Sequence, residues 1–285
     1  MGGPEVPEGW AGGLEGLVYR LGPGWSPQHQ GWRVRLVTHN YLEEVKSSNV
    51  LGLLRGSEEP DRYVLLTNHR DAWGYGAIDP SSGTTSLMEV ARVLGALHTA
   101  TGWRPRRTIV FASWAAEEYG LMGSNEWVSD KIQKVMDRAV AIINVDICII
   151  GDILSPKASP ILKEVFLAAI RAVPSTLDPT KSYYEFLETW LAAGEKTADT
   201  SVEEYVKILG SGSDHASFAF YAGVPALYFS FRTDDHKYPG AGYPAYHTGF
   251  ETFFLMDEIL DPGFALHKSC SQLSLHMLLQ VARCS

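Results

Sequence analysis

The sequence predicts an α/β fold with a central mixed, mostly parallel sheet and helices on both faces. Apolar runs that are typical of buried strands cover residues 63–68, 107–114, 139–144 and 224–231. Segments with helical periodicity separate the first three of these runs, and this alternation favours parallel strands joined by crossover helices. Of the 285 residues, 45% are hydrophobic and 20% are charged, which is an ordinary globular composition.

The first part of the chain predicts a loop followed by a hairpin. Residues 1–30 form a loop-like lead-in, because residues 1–24 are rich in glycine and proline. Residues 32–45 begin with alternating side chains, and residues 49–55 follow after a polar break. These two runs predict an antiparallel hairpin. Residues 63–68 lack such alternation, which predicts a strand that is buried on both faces.

Caps and the spacing of apolar residues mark the helical segments. Ser81 and Ser82 are good N-caps for a first helix, whose apolar side chains recur every three or four residues until Gly102 ends it. Further helices are predicted over residues 123–138, 160–172, 183–191 and 264–283, with a short one over residues 214–222. No linker rich in Pro, Gly and Ser divides this pattern, so we expect a single domain over residues 1–285.

Charge, cysteine content and hydropathy exclude several classes of protein. The net charge is −9 and the basic residues do not cluster, which argues against a nucleic-acid binder. Three cysteines do not make a disulfide framework, and Cys148 in its apolar run is predicted to be a small core residue. Neither a signal peptide nor an apolar stretch of membrane-spanning length is present, which predicts a soluble chain without a targeting or membrane segment.

Acidic residues and histidines follow the predicted strands at the ends where α/β sheets carry their chemistry. Residues 68–80 contain His69, Asp71 and Asp79; the other candidates are Glu117, Glu118, Asp146 and, from a later loop, His247. Zinc accepts histidine and carboxylate ligands together, whereas magnesium and calcium prefer oxygen alone. Two histidines with several carboxylates and no cysteine therefore fit a two-zinc hydrolase. Each of these residues taken alone is more often structural or solvated.

Two local patterns predict roles for individual residues. Adjacent acids such as Glu117 and Glu118 repel each other unless a cation is near, so one can bind metal while the other serves as a general base. In an extended segment, residues i and i+2 share a face, so Asp71 can hold the His69 ring through its second nitrogen. The alternative for Asp71 is a loop cap. The run from Ser213 to His215 lacks the features of a serine-hydrolase triad.

Five motifs resemble a known family of enzymes. They are H-R-D-A-W-G-Y-G-A-I-D-P, W-R-P-R-R-T-I-V-F-A-S-W-A-A-E-E-Y-G-L-M-G-S, I-N-V-D, G-S-G-S-D and G-Y-P-A-Y-H. They resemble the co-catalytic di-zinc exopeptidases, in the branch of glutamate carboxypeptidase (N-acetylated alpha-linked acidic dipeptidase), and are similar to its "like" aminopeptidase paralogue. The resemblance runs over almost the whole chain and implies the zinc-exopeptidase (phosphorylase/hydrolase-like) fold.

The resemblance also implies a site for two zinc ions. One zinc ion is expected on His69 and Asp146, and the other on Glu118 and His247, with Asp79 as the bridging ligand. Glu117 is implied to be the general base for peptide hydrolysis. Tyr246 is implied to stabilise the tetrahedral intermediate, although it could be a packed aromatic side chain. Gly212 and Ser213 are implied to contact the substrate.

Departures from the family pattern bear on the substrate. The acid-selective members carry arginines where this chain has Tyr228 and Ser230, and an asparagine where it has Ser213. Without those cations, acidic groups on the acyl side lose their counter-charges. We therefore expect an aminopeptidase with a broad, non-acidic preference. The alternatives are an acidic dipeptidase of the glutamate carboxypeptidase type, a non-catalytic receptor-like homologue and an inactive truncated product.

The resemblance implies partners and a location as well. A peptide is the expected substrate, and no nucleic acid is expected as a partner. Full-length relatives are type II cell-surface membrane proteins with an extracellular catalytic domain, and they form homodimers through a C-terminal helical domain. Neither that domain, nor the protease-associated domain, nor the anchor is recognised in this sequence. We therefore expect the chain to be the catalytic domain alone.

Overall fold

The computed structural model describes residues 2–7, 9–12, 14, 16–195, 197–238 and 242–283. These residues fall into two compact units, Met1–Lys46 and Ser47–Ser285. In the first unit, Glu5 and Arg20 form an isolated antiparallel bridge, and Pro27–His29 is a turn of 3-10 helix. The second unit contains the sheet.

The strand predicted over residues 32–45 is wrong. The structure describes all of these residues, and none of them belongs to a strand. Val34 and Leu36, which alternate with polar neighbours in sequence, are 76% and 84% exposed, so their apolar side chains line no buried face. The run at residues 49–55 is a strand, β1 (Val50–Leu54), but it pairs antiparallel with β3 (Arg107–Trp114) and forms no hairpin.

The central sheet has six strands in the order β1-β3-β2-β4-β6-β5. The remaining strands are β2 (Glu59–His69), β4 (Ala139–Asn144), β5 (Ile153–Ala158) and β6 (Ala226–Arg232). Strands β3, β2, β4 and β6 are parallel to one another, while β1 and β5 are antiparallel edge strands. The predicted mixed, mostly parallel sheet is confirmed. The prediction missed β5 because it contains Pro156, and an edge strand tolerates a proline.

Helices cover both faces of this sheet, as predicted. They are α1 (Ser81–Thr101), α2 (Met122–Asp130), α3 (Ile132–Arg138), α4 (Lys163–Ala172), α5 (Tyr183–Ala193), α6 (Val202–Tyr205) and α7 (Ala265–Arg283). Successive residues of β2 reach opposite faces. Val64 and Leu66 pack in the cluster that contains residues of α1 and α7, whereas Leu65 packs in the cluster that contains Val128 of α2 and Val135 of α3.

Several helices differ from the predictions: α6 was not predicted, and Ser81 and Ser82 lie inside α1, whose N-cap is Pro80. The predicted second helix is divided at Lys131 into α2 and α3. The short helix expected over residues 214–222 is a π-helical turn, Ser217–Tyr221, and a second one, Leu255–Leu260, was not predicted. The first helix ends as predicted, because Gly102 adopts the left-handed conformation and donates its N–H to the carbonyl of His98. None of the described helices is long and apolar enough to cross a bilayer.

The prediction that Cys148 is a small core residue is confirmed, but its bond to a second cysteine was not predicted. Cys148 is buried, but it forms a disulfide with Cys270, which joins the segment after β4 to α7. The two cysteines are 122 residues apart, and only the packing of α7 against this part of the fold brings them together. The third cysteine, Cys284, lies outside the described residues.

Candidate metal centre

The parallel strands bring the predicted site residues to one edge of the sheet. His69 is the last residue of β2 and pairs in register with Trp114, the last residue of β3. Glu117 and Glu118 follow β3, and Asp146 follows β4, which pairs with β2 on its other side. Because parallel strands end on the same side, these residues converge on one point.

The structure groups the predicted ligands into two trios that share Asp79. In the first trio, His69 Nε2 lies 2.9 Å from Asp146 Oδ1 and 3.2 Å from Asp79 Oδ1. In the second trio, His247 Nε2 lies 3.1 Å from Glu118 Oε2 and 3.2 Å from Asp79 Oδ2. Asp79 therefore presents one carboxylate oxygen to each histidine, which is the arrangement that a bridging ligand requires.

Hydrogen bonds and a close backbone contact hold α1 against the strand ends. Asn68 Nδ2 donates to the Val145 carbonyl at 2.7 Å and so ties the end of β2 to the segment after β4. Thr84 Oγ1 of α1 donates to the carbonyl of His69 at 3.0 Å. A Cβ atom on Gly83 would lie 2.0 Å from the carbonyl oxygen of Asp146. Only glycine permits this approach, so Gly83 lets the helix lie directly against the backbone of a predicted ligand.

Asp71 connects two of the strand ends. Its carboxylate oxygens accept hydrogen bonds from the backbone N–H groups of Glu117 at 3.0 Å and Glu118 at 3.2 Å. His69 Nδ1 lies 3.0 Å from the backbone carbonyl of Asp71 and 3.6 Å from its carboxylate. With Nδ1 donating to that carbonyl, Nε2 faces the carboxylate shared by the two trios, and it carries the lone pair when the ring is neutral.

The carboxyl groups of the site raise one another's pKa. Burial, aided by the neighbouring Asp146 and Asp214, raises the pKa of Glu117 to about 8, although His69 opposes the shift. Burial and the charge of Asp79 raise the pKa of Glu118 to about 7. Burial lowers the pKa of His69, but its hydrogen bonds to carboxylates outweigh that effect and raise it overall. Such a buried concentration of negative charge is stabilised by cations.

The donor atoms fit a metal site. Oδ1 of Asp79 and Oε1 of Glu118 are buried and accept no hydrogen bond from any described residue. Buried carboxylate oxygens without partners are costly unless a cation or a donor satisfies them. The set contains two imidazole nitrogens and several carboxylates, and no cysteine lies in either trio. This combination of ligands suits zinc.

All three residues of the first trio line a cavity of about 470 Å³. Its lining also includes Glu117. The remaining lining residues are Ile147, Ile150, Gly212, Tyr228, Arg232, Thr233, Asp235, Gly242, Tyr243 and Tyr246. A cavity lined by titratable groups together with apolar and aromatic side chains can hold a small organic substrate.

The three remaining predicted residues lie in different settings. Tyr246 lines the cavity, and its ring stacks on His247 with 3.7 Å between the ring centroids. Burial, together with the charge of Asp79, raises the pKa of Tyr246 to about 12, so its hydroxyl is a donor at neutral pH. Gly212 also lines the cavity. Ser213 is not in the described lining, and its buried hydroxyl accepts a hydrogen bond from Asn144 Nδ2 at 2.7 Å.

Sequence reasoning missed two buried acids near the site. Glu251 accepts hydrogen bonds from the backbone N–H groups of His247 at 3.2 Å and Asp79 at 3.3 Å. Asp214 accepts one from Ser124 Oγ at 2.6 Å, and burial raises its pKa to about 7. Asp214 lies in the G-S-G-S-D motif, which could have indicated it. No spacing signal in the sequence indicates Glu251.

Known proteins resemble this chain in both sequence and fold. Aminopeptidase NAALADL1 of Mus musculus is 39% identical over 285 residues, covering 98% of this chain and 38% of that protein. A glutamate carboxypeptidase 2 homolog of Caenorhabditis elegans is 40% identical, covering 95% of this chain and 35% of that protein. BSAP, a zinc aminopeptidase from Bacillus subtilis, matches in fold with a TM-score of 0.58 at 21% identity, covering 82% of this chain and 50% of that chain.

The family follows from these matches and from a family profile. The chain spans less than two-fifths of the length of the curated relatives named above. The profile described as Peptidase family M28 matches residues 49–258, which include every predicted site residue. The resemblance to zinc exopeptidases of the glutamate carboxypeptidase branch is confirmed. The chain belongs to peptidase family M28.

Proposed function

We propose that the chain is the catalytic part of a two-zinc exopeptidase, an aminopeptidase with a broad, non-acidic preference. One observation carries the proposal: two trios of metal-ligating atoms share Asp79 at the wall of a cavity, beside a carboxyl group that belongs to neither trio. That group is Glu117, whose Oε2 lies 3.9 Å from His69 Nε2. Membership of a peptidase family supports the reaction class.

The ligand residues would form two zinc positions. His69 and Asp146 would hold one ion and Glu118 and His247 the other, with one oxygen of Asp79 on each. Bound there, the ions supply Lewis acidity, which polarises the scissile carbonyl group and lowers the pKa of water. The chain's own contribution is to hold the ligands at a fixed separation and to keep the ligand His69 in one tautomer through the Asp71 carbonyl.

Glu117 is suited to be the general base. It lines the cavity, and its pKa of about 8 without cations falls when positive charge is placed beside it, which brings it into the range of a working base. Its carboxylate would accept a proton from the attacking water and deliver it to the nitrogen of the leaving amine. The Asp71 carboxylate holds the Glu117 backbone, so the base is oriented before substrate arrives.

Tyr246 is suited to stabilise the developing oxyanion. Its hydroxyl is protonated at neutral pH, and the residue lines the cavity. A donor aimed at the oxygen that gains charge lowers the barrier by more than it tightens substrate binding. Gly212 and Ser213 would shape the adjoining wall, Gly212 directly and Ser213 through its hydrogen bond from Asn144.

The cavity wall supports the preference for substrates without acidic groups. Tyr228 lines it where acid-selective relatives are expected to carry an arginine, and Ser230 is fully buried. A glutamate carboxypeptidase-type activity on acidic dipeptides is the second candidate. It is favoured by Arg232, which lines the same cavity, and by the names of several relatives.

A substrate panel on the purified zinc-loaded chain tests the function. We expect hydrolysis of aminoacyl amides with a free amine, and little hydrolysis of N-acylated acidic dipeptides. Glu117→Gln should lower kcat by about 10²–10⁴-fold while both zinc ions stay bound, because it removes the base and leaves the ligands intact. Cleavage of the acidic dipeptides alone would instead establish the second candidate. A chain that binds two zinc ions and cleaves neither would contradict the enzymatic function.

The longer relatives suggest an assembly around this catalytic part. We propose that the parent protein is a membrane-anchored homodimer with the catalytic part outside the cell, on the resemblance to type II membrane peptidases. Fractionation of cells that express the native gene tests this arrangement. The protein should stay with membranes until protease is added from outside, and detergent extracts should contain a dimer. A soluble monomer would contradict it.

A further inference from the structure

Glu251 is a buried acid that belongs to neither trio of ligands. It is 3% exposed, and each of its two carboxylate oxygens accepts a hydrogen bond from a different chain segment. Oε1 accepts from the N–H of His247 at 3.2 Å, and Oε2 accepts from the N–H of Asp79 at 3.3 Å. A buried carboxylate is costly to desolvate, so these contacts must offset the cost of keeping one here.

The segments that Glu251 joins lie outside the strands of the sheet. His247 follows no strand, and its backbone is in the left-handed conformation with φ 57°. Its side chain is 33% exposed. Asp79 lies in the loop between β2 and α1, and the Glu251 backbone carbonyl also accepts the N–H of Ala77 from that loop at 3.1 Å. Glu251 thus ties the loop of the shared ligand to the loop of the exposed histidine.

We propose that Glu251 is a positioning residue that sets the geometry of the metal position formed by Asp79, Glu118 and His247. By fixing the amides of Asp79 and His247 at the same carboxylate, it holds their side chains at the separation that one ion requires. This inference rests on the proposed two-zinc function. Side chains that orient metal ligands typically change metal affinity by about 10–100-fold. We expect the loss of the Glu251 carboxylate to lower zinc affinity by roughly this factor.

The other metal position does not depend on this contact in the same way. His69 is the last residue of β2, and Asp146 lies two residues beyond β4, so the sheet places two of the three ligands of this trio. Only the third, the shared Asp79, is held by Glu251. Asp71 and Thr84 hold that end of the sheet through separate hydrogen bonds. Loss of the Glu251 carboxylate should therefore weaken one zinc position far more than the other.

Zinc titration of the metal-free chain against a chromophoric chelator tests the inference. We expect Glu251→Ala to weaken one of the two zinc affinities by about 10–100-fold while the other changes by less than about threefold. Glu251→Gln keeps the size of the side chain but has one acceptor oxygen, so it should give an intermediate effect. Glu258→Gln is the matched control, because Glu258 is exposed in the π-helical turn Leu255–Leu260 and should leave both affinities unchanged.

Activity measured against zinc concentration gives a second readout. Excess zinc should restore most of the kcat of Glu251→Gln, since the ligands remain, and the zinc concentration for half-maximal activity should rise by the same factor as the affinity falls. A general loss of structure would not be rescued by zinc. Unfolding of the metal-free variants, followed by circular dichroism, separates the two explanations.

The outcomes are distinguishable from those of the proposed function. Two unchanged zinc affinities in both Glu251 variants would overturn the inference, as would an equal loss at the two positions. If Glu251→Ala does not fold, Glu251→Gln carries the test by itself. Failure of the wild-type chain to bind two zinc ions would overturn the proposed function first, and the role of Glu251 with it.

Discussion

The two proposed metal positions of this site are built in different ways. His69 and Asp146 are buried and stand at the ends of neighbouring parallel strands, so the hydrogen bonds of the sheet fix their separation. Glu118 and His247 come from loops, and His247 is partly exposed on a backbone of positive φ. The comparison indicates that the fold supplies one position directly, while side-chain contacts from outside the trios must assemble the other.

Asp79 is where the two positions meet, so its loss should have the largest effect. Asp79→Ala removes an oxygen from each trio, and we expect it to abolish activity and to lower zinc stoichiometry at both positions. Asp71→Ala leaves every ligand in place and should reduce activity by about 10–100-fold. Zinc content and kcat of the two variants check this difference. Equal, mild effects from both would contradict the role of Asp79 as a bridge.

Replacing each histidine separately should reveal the difference between the positions. His69→Ala leaves buried carboxylates without their partner and should destabilise the metal-free chain by about 3 kcal/mol. His247→Ala acts at a partly exposed side chain and should change that stability by less than about 1 kcal/mol, although it removes one zinc ion. Urea unfolding without metal measures both values. Similar destabilisation by the two variants would contradict the claim that the two positions are built in different ways.

Gly83 offers a test that touches only the strand-end position. A Cβ atom there would lie within 2.0 Å of the Asp146 carbonyl, so Gly83→Ala must push α1 away from that backbone. We expect destabilisation by about 1–3 kcal/mol, the usual range for overpacking, and weaker binding of the zinc ion on His69 and Asp146. Gly95→Ala in the same helix is the control, because a Cβ atom at Gly95 would meet open space. Weakening of the other zinc ion instead would contradict the assignment.

A distant acid should change stability without affecting either position. The Asp261 carboxylate accepts hydrogen bonds from the N–H groups of Leu266 and His267 at the start of α7 and contacts the His267 ring at 2.6 Å. Burial raises the pKa of Asp261, but these hydrogen bonds outweigh it and lower the pKa overall. The ionised form is therefore stabilised by folding, and this contribution is complete above the unfolded pKa of about 4 and is lost as pH falls through the lower folded value.

Asp261→Asn should accordingly cost about 1 kcal/mol at neutral pH and little at strongly acidic pH. Thermal unfolding of the variant and the wild type between acidic and neutral pH measures this difference. Both zinc affinities should stay unchanged. An effect that grows as pH falls would have the wrong sign and would contradict the assignment.

The strand-end half of the site could be predicted from sequence because its signals are local. His69 ends an apolar run, Glu117 follows a second run, and Asp146 follows a third. Parallel pairing then forces their convergence, and the sheet has the predicted mixed, mostly parallel form. The motifs around these residues carried the resemblance that identified the family.

The features that the sequence did not predict depend largely on contacts between residues far apart in the chain. The bond from Asp79 to Glu251 joins residues 172 positions apart, and nothing near either residue predicts it. The disulfide of Cys148 and Cys270 was missed for the same reason. The run at residues 32–45 gave a false strand, because alternation signals a strand only where a buried face exists to receive the apolar side chains.

Anomalous scattering at the zinc edge from crystals of the zinc-loaded chain would test the central claim most directly. We expect two peaks about 3.5–4 Å apart, one contacting His69 and Asp146 and the other contacting Glu118 and His247. One carboxylate oxygen of Asp79 should contact each peak. A single peak, or two peaks that do not share Asp79, would contradict the two-zinc site.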